Sequence, residues 1–354
     1  MKTLNIFTRL CTALLSIAFI AVLLFYTSTY NQSVTDGLNA CGNVLVPSLF
    51  PFLFLSTFIV ESDCLSIITK RLGIVSRILG ISKNGILALI LCLIGGFPVG
   101  AKTVSTLYRE KKISYDEAKK LCYCCVGAGP GFMITIVGQG IFHSKALGIM
   151  LFFSNMAGVL FILFIHRRNT PDYTEINSDL PKKGIGEALV TSTEGAVKAT
   201  LSMCGFVVLF IVINNLLTLV PFWNGYFASM LEITGGMINY ASDMRFEFVG
   251  ALIGFGGICV HFQIFAIVKD IRINKGYFVL MRALQGIFSG ITLHILLRIF
   301  PVAQETFGNM DSPPHPAVYS TLWGAGAVII LSVIFLLSIK QNHKNNQEVN
   351  LCAE

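Results

Sequence analysis

The chain has 354 residues, of which 54% are hydrophobic and only 13% charged, and its mean hydropathy is +0.71. Soluble domains carry roughly 25% charged residues, so this composition excludes a soluble enzyme and leaves little chain outside apolar spans. The formal charge of +7 sits in loops between those spans, which speaks for the positive-inside bias of a membrane protein and against a nucleic-acid partner.

Lys2 and Arg9 precede an apolar run over residues 10–26 with no small-residue cleavage site after it. It reads as an uncleaved signal-anchor span within residues 1–34, with a cytoplasmic N-terminus. Residues 41–60 are apolar but contain Pro47 and Pro51, which kink a transmembrane helix. The polar stretch 61–84 keeps apolar residues at helical spacing and predicts an amphipathic surface helix. Residues 85–108 are interrupted by the Gly95–Gly96–Phe97–Pro98–Val99–Gly100 segment, so each half is too short to span; a re-entrant hairpin or a broken span results. After the basic stretch 109–120 a helix starts at Asp116, meets a second interruption at 127–131, and is completed over 132–141. A further span covers 147–165. Residues 166–183 form a polar linker, and spans or helices follow at 200–220, 227–241, 246–268 (interrupted at 254–257), 277–300 and 319–339. The pattern predicts an all-α polytopic bundle of about eight to ten membrane segments, because in hydrocarbon each backbone polar group must be satisfied within its own helix.

Most of the ten cysteines lie in or beside apolar segments as small hydrophobes, and the cluster over 122–125 lacks metal-ligand spacing. No Walker loop, His-Glu-x-x-His or Gly-x-Ser-x-Gly motif is present. No enzyme activity, metal or cofactor is expected.

Residues 91–96 align with residues 252–257, and each segment is followed by a short apolar helix and a charged loop. This suggests two inverted repeats, over 35–165 and 196–300, joined by a cytoplasmic linker at 166–195, with a last loop, span and polar tail over 301–354. The basic loops at 66–83 and 109–120 place both ends of residues 85–108 inside, which favours a hairpin there. In the second half an inverted hairpin would leave Lys269, Arg272 and Lys275 outside, whereas a true span would keep them inside. Repeat and charge rule disagree, and the repeat is given the greater weight.

The segment from Gly95 to Lys102 resembles the Gly-[Tyr/Phe]-Pro-x-Gly-Ala-Lys motif of sporulation integral membrane proteins of the YlbJ type. Gly129-Pro130-Gly131-Phe132, Leu231-Glu232-Ile233-Thr234-Gly235 and the segment from Gly254 to Gln263 are similar to its following motifs, although the asparagines expected before Pro130 are missing. The chain is also similar to the wider group carrying the nucleoside-recognition Gate domain, so that the two repeats would be Gate-like. The resemblance implies a multi-pass protein of a bacterial cell membrane, acting in spore formation, and names no substrate.

Broken hydrophobic segments in corresponding halves are where transporters bind their solutes. The candidate site therefore comprises Gly95, Gly96, Pro98 and Gly100 of the first interruption, Gly129 and Pro130 of the second, and Gly256 and Gly257 of the third. Lys102 adds a cation beside a half-helix N-terminus, and ionisable groups within a membrane are functional candidates. Glu232, next to Thr234, is its reciprocal and could carry a coupling proton. His261 and Gln263 could read a polar solute or cap freed backbone groups. Asn155, Asn214, Asn215 and His294 read as interhelical hydrogen-bonding groups. The expected function is a transporter or gated permease for a small polar or anionic solute; the alternative is a non-transporting scaffold or assembly factor for the spore envelope. The bilayer and an unidentified solute are the expected partners, with homo-oligomerisation left open.

Overall fold

The computed structural model describes residues 24–62, 72–167 and 184–301, with single helical positions between 10 and 22. All of them fall in the first of two units of the chain, Met1–Gln304. The run 319–339 and the polar tail, nearly all of the linker 166–183 and most of the N-terminal run lie outside the described residues. Among the described residues every regular element is helical, as the composition predicts.

Helix α1 (Thr27–Ala40) leads through a π-turn (Cys41–Leu45) into α2 (Val46–Glu61). Pro47 lies just after the π-turn and Pro51 inside α2, so both fall within one continuous helical passage. The short α3 (Gly73–Leu79) stands at 82° to α4 (Lys83–Gly95) and exposes Ile74 and Ile78. This is the amphipathic surface helix that the spacing over 61–84 predicts, seen in its described part.

α4 is capped by Ser82, whose side chain accepts from the Gly85 N–H, and ends at Gly96. α5 (Phe97–Arg109) then runs back beside it. Asn84 Nδ2 donates to the Lys112 carbonyl at 2.9 Å, which brings the two outer ends together, so residues 83–109 are a hairpin. Next come α6 (Tyr115–Cys124), an irregular stretch at 125–130, a π-helix (Gly131–Ile141) and α7 (Lys145–Ile165). In the second half α8 (Ile185–Leu217) lies antiparallel to α1 and α2, with Asn215 Nδ2 donating to Ser33 Oγ at 2.9 Å. α9 (Gly225–Leu231) and α10 (Ile233–Tyr240) fold back on each other so closely that a Cβ on Gly225 would come within 2.6 Å of Tyr240 Cβ. α11 (Phe246–Phe255), α12 (Gly257–Ile267) and α13 (Lys275–Ile299) complete the described chain.

Among the described residues five helices are long and apolar enough to cross a membrane: Tyr30–Glu61, Lys145–Ile165, Ile185–Leu217, Phe246–Ile267 and Lys275–Ile299. A sixth passage is made by α6, the irregular stretch and the π-helix, since its ends lie at opposite ends of the bundle. At one end Tyr115 Oη donates to the Arg272 carbonyl at 3.1 Å, Ser105 Oγ to the Ile267 carbonyl at 3.2 Å, and Tyr277 Oη meets His166 Nε2 at 3.2 Å. At the other end the rings of Phe142 and Phe246 sit 5.0 Å apart, and His294 Nδ1 lies 2.9 Å from Glu247 Oε1. The first end carries Arg109, Lys111, Lys112, Arg167, Lys269, Arg272 and Lys275. The chain is a polytopic helical membrane protein.

One expectation is corrected. Residues 246–268 do not fold back; α11 and α12 run on as one passage, and Lys269, Arg272 and Lys275 lie at the same end as Arg109 and Lys112. The backbone supplies the reason. Gly96 has φ 89° with an extended ψ of −169°, which turns the chain away from the axis of α4. Gly256 (φ 86°, ψ −5°) is followed by a second left-handed glycine, Gly257 (φ 75°), and the pair brings α12 back into line with α11. Residues 227–241, read as one helix, are instead the hairpin of α9 and α10.

Candidate functional site

Four interruptions converge inside the bundle. The first hairpin tip crosses the irregular stretch backbone to backbone: a Cβ on Gly96 would lie 2.9 Å from the Gly129 amide, and one on Gly129 would lie 3.2 Å from the Gly96 amide. Only glycine permits this approach and the positive φ of Gly96. The Phe97 ring covers Gly256, at 3.1 Å from where its Cβ would stand, and Gly257 packs on the Ile233 amide and the Ser229 carbonyl. Both hairpin tips and both broken passages thus meet in one place.

A pocket opens beside this junction, enclosing about 720 Å³ with the open space at its mouth included. One wall is formed by α2 and α8 with the π-turn, through Leu45, Ser48, Phe52, Met203 and Val207. The opposite wall is made of the tips and breaks. Of the residues singled out from the sequence, Gly95, Gly96, Pro98, Gly129, Glu232, Thr234 and Gln263 line it.

Glu232 is the turning point between α9 and α10 and is 1% exposed. Its two carboxylate oxygens accept from the Thr234 N–H at 3.0 Å and the Gly235 N–H at 2.6 Å, capping the second half of the hairpin as an acidic N-cap does. Gln263, on α12, is 6% exposed; its amide donates to Cys259 Sγ at 3.3 Å.

The other singled-out residues do not line the pocket. Gly100 is where the arms of the first hairpin touch: a Cβ there would stand 2.6 Å from Cys92 Cβ and 2.5 Å from the Cys125 carbonyl. Pro130 precedes the π-helix. Gly256 and Gly257 form the junction behind the pocket. His261 donates from Nε2 to the Phe255 carbonyl at 3.0 Å and stacks edgewise on Phe255 and Phe278, so it closes the broken end of α11. Lys102 lies one helical turn past Pro98 on the same face of α5, directed at α8, where its Nζ is 3.4 Å from the position of a Cβ on Gly195. It therefore stands between the pocket and the basic end, near the ion pair of Arg109 Nη2 with Glu61 Oε1 at 2.8 Å.

A supporting layer went unread in the sequence. Arg282 of α13 is fully buried and donates from Nη1 to the Val126 carbonyl and to Gln285 Oε1, each at 2.5 Å, and from Nη2 to the Tyr123 carbonyl. Gln285 Nε2 donates to the Val126 carbonyl at 2.9 Å and to Asn155 Oδ1 at 3.3 Å, while Asn155 Nδ2 reaches the Ala128 carbonyl at 3.3 Å. These groups satisfy the carbonyls freed where α6 ends, the accounting that membrane depth demands. Asn214 Nδ2 serves the Ala228 carbonyl in the same way at 3.3 Å. The expected interhelical roles of Asn155, Asn214, Asn215 and His294 are what these bonds are. The available signal for Arg282 was an arginine well inside the apolar run 277–300, whose other arginine, Arg298, lies at its end.

In sequence, the chain is similar to the Sporulation integral membrane protein YlbJ of Bacillus subtilis (strain 168): 24% identity over 361 residues, covering 86% of this chain and 88% of that protein. No family model matches. No solved structure matches either. The YlbJ-type resemblance is borne out over most of the chain; the wider Gate-domain grouping is not confirmed.

Proposed function

From this likeness to a sporulation integral membrane protein and from the pocket, we propose that the protein is a secondary transporter or gated permease for a small polar or anionic solute, serving spore formation. One observation carries the reading: two hairpins enter from opposite ends of the bundle and place their tips, with two broken passages, at one pocket. Broken helices meeting at mid-depth supply polar backbone ends to a solute while the rest of the bundle stays satisfied. The order passage, hairpin, broken passage, passage occurs twice in opposite directions, from Tyr30–Glu61 to Lys145–Ile165 and from Ile185–Leu217 to Lys275–Ile299. That order supports an inverted repeat in which the 95–96 tip corresponds to Glu232 and the 125–130 stretch to Gly256, not the alignment of 91–96 on 252–257. Lys102 would hold an anion on its way between pocket and basic end. The charge asymmetry supports a cytoplasmic basic end, and a single span before Thr27 would then put the N-terminus in the cytoplasm.

The test is ligand-dependent thermal stabilisation of the purified protein in detergent against nucleosides, nucleotides, organic anions and amino acids, followed by tracer uptake into proteoliposomes for any hit. A bound solute at a hundred times its Kd stabilises by about 2.7 kcal/mol, enough to read. We expect a concentration-dependent shift that Gln263→Leu loses while keeping its own melting temperature. A panel and uptake assay without response would move the weight to the scaffold reading, in which the pocket is only a packing remainder.

A further inference from the structure

Glu232 is a carboxylate at the apex of a hairpin, in the wall of a mostly apolar pocket whose other polar side chains, Ser48, Thr234 and Gln263, are uncharged, at 1% exposure. Among the described residues no lysine, arginine or histidine lies within ion-pair distance of it. The titratable groups that face it are Cys259 from α12 and Cys41 from the π-turn, with Cys204 of α8 behind Cys41. On α8, Val207 lines the same pocket and Ile211 packs beside Gly235. An isolated carboxylate in such surroundings keeps its charge only if fixed dipoles outweigh the lost hydration. Here two amides and the Thr234 hydroxyl are aimed at it, and among the described residues no cation.

We propose that Glu232 is the coupling-proton site of this transporter: a negatively charged solute settles in the pocket only while the carboxyl is protonated, and the proton can leave only once the pocket is empty. The inference rests on the transport reading and adds to it the coupling ion and the charge of the solute. An anion cannot settle against an ionised, uncompensated carboxylate in a mostly apolar pocket without a like-charge penalty. Once protonated, Glu232 offers an O–H to an anionic oxygen of the solute and still accepts the Thr234 and Gly235 amides. The proton comes from water entering through the pocket mouth and leaves the same way, so solute and proton cross together, and binding of an anion tightens as pH falls. Placing the group on the apex puts it where a change in hairpin position alters access from one side to the other.

The test uses the full chain in detergent and dicyclohexylcarbodiimide, an apolar reagent that adds across its C=N bond to a protonated carboxyl group and leaves a stable acylurea. Peptide mass spectrometry reads the adduct on Glu232 as pH is raised, with the SDS-unfolded chain as reference. Carboxyl groups in water titrate near pH 4. The expected result is an adduct on Glu232 that persists to higher pH in the folded protein than in the unfolded chain, and is diminished when an anionic hit from the panel occupies the pocket. Loss of the Glu232 adduct at the same pH in the folded and the unfolded chain would overturn the proposal. A second variant guards against a trivial loss: Glu232→Gln, which imitates the protonated group, should melt near the wild type and bind the anion without pH dependence. If Glu232→Gln melts as early as Glu232→Ala, the carboxylate is a charged cap and the proposal fails. A neutral panel hit whose strength ignores pH would sink the coupling and leave transport standing.

Discussion

The guanidinium of Arg282 donates to the carbonyls of Tyr123 and Val126, and no carboxylate among the described residues neutralises it. Its work is to replace the helix bonds that α6 gives up before the irregular stretch. Removing it would strand the Tyr123 carbonyl, at about 1–3 kcal/mol, and leave the Val126 carbonyl to Gln285 alone. Arg282→Ala should therefore melt well below the wild type in detergent. Arg282→Lys should recover little, because an ammonium cannot present the planar fork that reaches Gln285 and two carbonyls together. If lysine restores full stability, charge and not the fork holds the break. The same scale explains why Lys102 was read into the pocket and stands outside it. Its position after the Gly/Pro tip was legible, but one turn of α5 carries the side chain past the rim towards Gly195.

At the scale of elements, glycine and proline announced three of the interruptions, since Gly95–Gly96, the 127–131 stretch and Gly256–Gly257 cannot continue a helix unaided. What they did not announce was direction. A glycine pair in an apolar run looks alike whether the chain turns back or runs on; the choice rests on ψ at the break and on what covers it, such as Phe97 over Gly256. The fourth interruption, at Glu232, had no Gly/Pro signature at its apex and was read through as helix. The two folds are distinguishable chemically. Asn84 and Lys112 at the mouth of the first hairpin are bonded at 2.9 Å, whereas the ends of a true span would stand roughly 30 Å apart. Cysteines at these two positions should cross-link under mild oxidation in membranes, detected as a linked pair of peptides. A failure to link, with each cysteine alkylated singly, would contradict the hairpin.

For the whole molecule, composition alone fixed the helical membrane class, and the alternation of basic loops set which loops belong together. The sidedness of the second half followed charge and not the proposed alignment of repeats, because the hairpin of that half lies one element earlier than its glycines suggested. Single cysteines at Lys111 and at Ser242, in a background with the ten native cysteines changed to serine, should respond oppositely to a membrane-impermeant maleimide in intact cells. Ser242→Cys at the less basic end should be labelled, and Lys111→Cys only after permeabilisation. Equal labelling of both would contradict two distinct faces.

The π-turn at Cys41–Leu45 holds a residue more than an α-helical turn would, and Val44 and Leu45 of that turn stand in the pocket wall. Each residue of an α-helix advances its phase by about 100°. Deleting one residue from the turn would leave α2 helical and apolar yet rotate everything after it by that angle. Ser48, Leu49 and Phe52 would swing off the pocket, and Glu61 would swing away from Arg109. The surplus residue is thus a phase-setter: it lets one continuous passage pack its first half on α8 by one stripe and present its second half to the pocket by another.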